Sequence, residues 1–576
     1  MSPSDQRSSP LPITAATLLA ATAAWMIAFG SVSPATQARP FRLIEATIPE
    51  MQAAMKSGQL TSRELVQQYL LRLALFEDRL NAALYVNARA LEEAEVLDRE
   101  RAQGKVRGPL HGIPVALKDN IHTTHLPTSG GALAFAGYVP PYEATLTKHL
   151  RDAGAIIVAK AGLTELANWV AGNPNAMPGN YNAVGGFAFN PYDPRPDPRD
   201  TSDGRPVLGT GGSSSGIGTA ANLWAANVGT DTGGSVISPS NANMLVGIRP
   251  TIGRISRYGV IPITLDHDTA GPMARTVADA ALMLGAMEGA SPDPQDPATK
   301  TCTPPPNRDY TAFLRADALK GARIGIPRAF YYDRIALDVE ERSRGGINPT
   351  QAALMTDAIA VLKAQGAVVV DPADVPSFAA RTADDNFAAW DFCSGAEHAK
   401  GKDANCSINF KYGMKRDFNV WLKSLGPGAP VKTLTELREW NLAHAKAGAI
   451  RFGQSRLDIS DEMDLAADGS RNDADHAKDH RLSRAQGIDA VLTAHKLDAI
   501  FTPGGSGAGL AARAGYPIIV VPFGTVANAV TNLPAGFEPK PAPYGVGFTG
   551  AACSEPRLVA LAYAFEQATR KRRAPQ

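Results

Sequence analysis

The stretch that decides the reading runs from Gly209 to Ser235, GTGGSSSGIGTAANLWAANVGTDTGGS. Two glycine–serine clusters, GGSSSG at 211–216 and TDTGGS at 230–235, flank a run of small, mostly apolar residues. Glycine lets backbone approach backbone and lets successive N–H groups face one concavity, so such a segment suits a phosphate or an oxyanion. A P-loop would end in Gly-Lys-Ser/Thr, which is absent, and the dinucleotide fingerprint GxGxxG does not fit the register. Gly212 to Gly216 matches GxSxG, the nucleophile elbow of α/β-hydrolases, with Ser214 as nucleophile. That reading needs an acid and then a histidine downstream, for which His398, His444 and His495 are the candidates. A flexible Gly/Ser linker is the simplest alternative, but the alanine-rich run and second glycine pair read as packed chain.

Upstream, His111 to Asn120 (HGIPVALKDN) places Lys118 directly after a short apolar strand. A lysine there is either a surface charge, its commoner fate, or a buried functional amine. Around these segments the pattern alternates. A capping box, Thr61-x-x-Glu64, opens a helix from Ser62 to about Phe76. Further helices are expected at 87–101, 143–152, 276–287 and 350–364. Short apolar strands are expected at 113–117, 155–159, 322–326, 367–370, 499–501, 517–521 and 544–548. Ser554 is expected to cap a last helix running to about Arg572. Helices alternating with fully apolar strands imply an α/β fold, a buried parallel or mixed sheet covered on both faces. Residues 191–205 read as a rigid polar loop, and residues 380–482 as a more polar helical decoration shaping the substrate entrance.

The chain has 576 residues, 44% of them hydrophobic and 20% charged, which suits a well-packed globular protein. At about 150 residues per domain the length suggests about four domains. Lys and Arg number 57 against 56 Asp and Glu, a formal charge of +1, which argues against a nucleic-acid-binding face. Residues 1–38 stand apart. Arg7 precedes an apolar run from Ile13 to Phe29, and small residues lead to Ala38, the order of a secretory signal peptide. The alternative is an uncleaved membrane anchor. The four cysteines, Cys302, Cys393, Cys406 and Cys553, lack CxxC spacing. In an exported chain Cys393 and Cys406 could close a short loop, the alternative being four unpaired thiols. His111, His122 and His125 are not spaced as HExxH, which argues against a metal site.

Taken in order, GIPVALKDN, GGSSSG, GTDTGGS, VGIRPT at 246–251 and DTAGPM at 268–273 resemble the amidase signature family of serine hydrolases. The resemblance extends from about Ile44 to Arg573. It implies a single large α/β/α domain around a twisted mixed sheet, spanning 39–576 and revising the four-domain estimate. It also implies amide hydrolysis through an acyl-serine, without cofactor or metal, on a small-molecule amide. Partners would be neither nucleic acid nor membrane in the mature chain, which would be exported to the periplasm or secreted as a monomer or homodimer.

By the same resemblance Ser235 is the nucleophile, Ser213 the bridging serine held by a cis peptide, and Lys118 the ultimate base. Amides of Thr232, Gly233, Gly234 and Ser235 would form the oxyanion hole, with Ala167 contributing to substrate binding. A lysine serves as base only when neutral, and moving its pKa from about 10.4 to near 7 takes roughly 4–5 kcal/mol, which burial can supply. One departure bears on the bridging serine. The spacing 235 − 213 = 22 is about two residues shorter than is usual in the family. Counting at the usual spacing lands on Gly211, so the motif rather than the count selects Ser213, with Ser214 in reserve. Asp231 and Arg249 read first as structural supports of the loops.

Overall fold

The computed structural model describes residues 41–200, 202–212, 216–337 and 343–576. The export segment expected at 1–38 therefore lies outside the described residues. Leu43–Gln576 form one compact unit.

Eleven strands make one sheet. In chain order they are β1 (Ala83–Val86), β2 (Pro114–Lys118), β3 (Ile156–Ala161), β4 (Ala226–Asp231), β5 (Val246–Arg249) and β6 (Thr269–Ala274). There follow β7 (Arg323–Gly325), β8 (Val368–Val370), β9 (Ala499–Pro503), β10 (Ile518–Val526) and β11 (Ala542–Thr549). Their spatial order is β1-β3-β2-β4-β6-β5-β10-β11-β9-β7-β8. The sheet is mixed. β2 runs parallel to β3 and β4, while β6 is antiparallel to β4 and β5. Every residue of β2, β3, β4 and β6 is buried, so both faces are covered.

The expected helices and apolar strands form within a few residues of their anticipated ends. β1, β4, β5 and β6 had no counterpart in the sequence reading. β1 is a half-buried run of only four residues, and β4, β5 and β6 lie inside the quoted motifs, where small residues hide the β-branched signal. The small residues are needed for fit: a Cβ at Gly247 in β5 would stand 2.2 Å from Ser240 Oγ, and one at Gly271 in β6 would stand 1.9 Å from Ile248 O.

Helix α1 (Ser62–Leu80) starts at the expected capping box, with Glu64 N donating to Thr61 Oγ1 and Thr61 N to the Glu64 carboxylate. It runs past Phe76 and stops where Asn81 turns left-handed, at φ 48°. The last helix, α2 (Glu555–Thr569), departs from the sequence reading chiefly at its carboxyl end. Ser554 holds the N-cap position as expected, but its side chain makes no capping hydrogen bond: its Oγ donates to Ala551 O at 2.7 Å. Arg570 adopts the left-handed conformation, and Arg572 leaves the helix to pair with Glu45 at 2.8 Å.

The segment 380–482 is more than a polar decoration. Its helix Asn409–Ser424 puts Phe410, Met414, Phe418 and Trp421 into a core shared with Phe135, Val170, Leu434 and Leu457. Cys393 and Cys406 are joined, as the exported reading allowed. Cys302 and Cys553 also form a disulfide, across 251 residues, a pairing the sequence offered no way to select. Among the described residues no helix is long and apolar enough to cross a membrane.

Candidate active site

The carboxyl ends of β2 and β4 lie side by side, the edge where α/β sheets usually bind ligands. β2 ends in Lys118, which is fully buried, so the surface reading of this lysine is wrong. Its Nζ donates to Thr230 Oγ1 at 2.8 Å and to Thr230 O at 3.3 Å. Burial pushes its pKa down to about 7, against the carboxylates of Asp231 and Asp268, which raise it. The lysine beyond it in the sheet, Lys160, is also buried but forms an ion pair with Asp119 at 3.2 Å.

β4 ends in Asp231, and the chain then turns through Thr232, Gly233, Gly234 and Ser235. The turn is shaped by Asp231, which accepts from Gly234 N and Val236 N, both at 2.8 Å. Gly234 sits at φ +124°, a backbone that side chains rarely allow. Its amide is thus committed to Asp231, which corrects its expected place among the oxyanion donors. The amides of Thr232 and Gly233 have no acceptor among the described residues. Gly233 is exposed and Ser235 half-buried, so the turn opens outward. Arg249, at the end of β5, holds Asp231 by donating to Oδ1 and to the carbonyl, each at 2.7 Å, with both side chains fully buried. The supporting role expected of this pair is what the geometry shows.

Asp268 is a further support that sequence reasoning passed over, although it begins the quoted DTAGPM motif. Thr232 Oγ1 donates to its Oδ1 at 2.5 Å, and the amides of Ile263 and Thr264 donate to Oδ2. Burial pushes Asp268 up to about 7. One carboxyl group therefore ties the turn after β4 to the Ile263 wall.

Turn and wall belong to one cavity of about 660 Å³, which Ser235, Thr232, Gly233, Gly234 and Ala167 line. Ala167 is the middle of a left-handed turn, Leu166 to Asn168, with φ of 42°, 55° and 72°. The opposite side comes largely from segment 380–482, including Trp390, Phe392, Phe410 and Arg456. No sequence motif marked these residues. Ser213 and Ser214 lie outside the described residues, whereas Gly211 and Gly212 line the cavity beside them in sequence.

The histidines are engaged elsewhere. His398 Nδ1 accepts from Ser394 N, His444 stacks on Trp440, and neither they nor His495 line the cavity. His111, His122 and His125 meet Leu97 O, Trp421 and Arg151 respectively. Among the described residues the one group with metal-like spacing is Cys393, Asp403 and Cys406, and its cysteines are bonded to each other.

The model of the Amidase family matches residues 64–559. The chain belongs to the Amidase family. This amidase is 33% identical to a probable amidase of Arabidopsis thaliana over 97% of each chain. It is 36% identical to the native peptide amidase of Stenotrophomonas maltophilia, whose structure matches with a TM-score of 0.76 over 93% of this chain and 99% of that one. A putative amidase of Schizosaccharomyces pombe is 30% identical over 93% of this chain and 87% of its own length. The amidase is thus an amidohydrolase that hydrolyses C–N bonds, on an amidase signature fold.

Proposed function

We propose that this amidase hydrolyses a small carboxamide through an acyl-Ser235 intermediate, with Lys118 as base and Ser213 relaying the proton. The observation that carries this reading is Lys118: a fully buried lysine with a pKa near 7, hydrogen-bonded to the strand that leads into Ser235. Neutral Lys118 takes a proton, through the Ser213 hydroxyl, as Ser235 Oγ attacks the carbonyl carbon. The developing oxyanion is met by the amides of Thr232 and Gly233, where one lost donor typically costs about 3–4 kcal/mol. The proton then passes to the leaving nitrogen, and water releases the acyl group.

Ser235→Ala and Lys118→Ala should each abolish amide hydrolysis, while substitution of His398, His444 or His495 should not. A fluorophosphonate probe should label Ser235. Near-normal rates in Lys118→Ala would overturn the mechanism. The +1 formal charge argues against action on tRNA. The export signal read in residues 1–38 is supported by two disulfides, which persist in oxidising compartments. Peptide C-terminal amides belong in the first substrate panel, because the Stenotrophomonas maltophilia relative is a peptide amidase.

A further inference from the structure

The cavity is unequal in its chemistry. From the turn at Gly233 a continuous wall of rings leads away. The Phe410 ring lies 3.8 Å from where a Gly233 Cβ would stand. Phe410 stacks on Phe392 with centroids 3.7 Å apart and meets Trp169 edge-on at 5.1 Å. Over the Trp169 face, 5.1 Å from its centroid, lies the Arg456 guanidinium.

Arg456 differs from Arg513, a cavity cation that is held by carboxylates. Arg513 has Asp479 at 3.3 Å and Asp391 at 3.7 Å. Arg344 donates to Ala388 O. Arg456 donates from Nε to Ser394 O at 3.1 Å and from Nη1 to Asn168 O. These are neutral carbonyls, and among the described residues no carboxylate stands within ion-pair distance of Arg456. Its Nη2 has no acceptor among them. Burial pushes its pKa down, with the Asp391 carboxylate of the same cavity opposing. A guanidinium with an unused edge, held against an aromatic face, is suited to a planar carboxylate.

Resting on the amidase mechanism proposed above, we propose that the cavity selects amides carrying an aromatic ring and a carboxylate, the ring against Phe410 and Trp169 and the carboxylate on Arg456. The carboxylate can sit on either side of the scissile bond, so the test has two arms. N-succinyl-L-phenylalaninamide against N-acetyl-L-phenylalaninamide places it on the acyl side. N-acetyl-L-phenylalanine against N-acetylphenethylamine places it on the amine side. In at least one arm the carboxylate substrate should have the higher kcat/KM by about 10- to 100-fold, the worth of a charge-assisted hydrogen bond. Arg456→Gln should bring that ratio close to one, and Arg456→Lys should keep part of it. A merely structural Arg456 would lower both members of a pair together. Calorimetry on the full chain gives a reading independent of turnover: 3-phenylpropionate should bind at least tenfold more tightly than 3-phenylpropan-1-ol, and Arg456→Lys should narrow the gap. Equal treatment of charged and neutral partners by the unmutated protein, in both arms and in calorimetry, overturns the proposal. So does a preference that survives Arg456→Gln. Failure of the fluorophosphonate probe to label Ser235 would instead defeat the mechanism, and calorimetry would still decide the carboxylate site.

Discussion

At Lys118 burial disfavours the ammonium while Asp231 and Asp268 favour it, and the balance falls near pH 7. The rate should therefore rise with pH through about 7, as kcat/KM profiles will show. Asp268→Asn removes one of the carboxylates that raise Lys118, so this acid limb should move to lower pH. The same change weakens the hold on Thr232, so kcat should fall even at the new optimum. A variant that lowers kcat without moving the limb would show Asp268 to be a structural brace alone. The buried lysine also bears on stability. Its folded pKa lies below that of an unfolded lysine, so the unfolded chain binds more protons between about pH 7 and 10.4. The penalty is full below pH 7 and fades as pH rises through that window. Lys118→Met should lose turnover yet melt at a higher temperature at pH 6, by the equivalent of roughly 3–5 kcal/mol, with little difference at pH 10.5.

The turn after β4 depends on a buried ion pair rather than on its glycines alone. Asp231→Asn leaves Arg249 charged and fully buried without its partner, which should destabilise by about 3–5 kcal/mol in urea unfolding. Adding Arg249→Met should recover part of that loss, because the stranded charge goes with it. At this scale the sequence was legible where periodicity was strong. The capping box at Thr61 and the apolar runs of β2, β3 and β10 announced their elements. β4, β5 and β6 were hidden because close approach selects small residues there, and small residues carry no periodic signature. Lys118, Ser235 and the Asp231–Arg249 pair could be found because they sit in contiguous motifs. The ring wall and Arg456 could not, because Trp169, Phe392, Phe410 and Arg456 meet only in the folded chain.

Across the whole molecule the sheet supplies one edge for chemistry, and segment 380–482 supplies the facing wall. The two disulfides act on these parts differently. Cys393 lies between Phe392 and Ser394, both of which line the cavity, and closes a 13-residue separation with Cys406. Cys302–Cys553 spans 251 residues and joins the loop after the Val277–Met287 helix to the start of α2. In the chain-entropy picture the longer closure stabilises more, by about 5 against about 3 kcal/mol. Replacing Cys302 and Cys553 by serine should therefore lower the melting temperature more, with KM little changed. Replacing Cys393 and Cys406 should raise KM, as steady-state kinetics will show. Equal KM effects from both pairs would mean that the cavity wall does not depend on its own bridge. The wall also makes the protein optically self-reporting. Of its 6 tryptophans, Trp169 and Trp390 line the cavity, each under a cation, Arg456 at 5.1 Å and Lys478 at 4.0 Å. Indole emission responds to nearby charge and to water, so an occupant that displaces either will announce itself in the intrinsic fluorescence, without a label and without turnover.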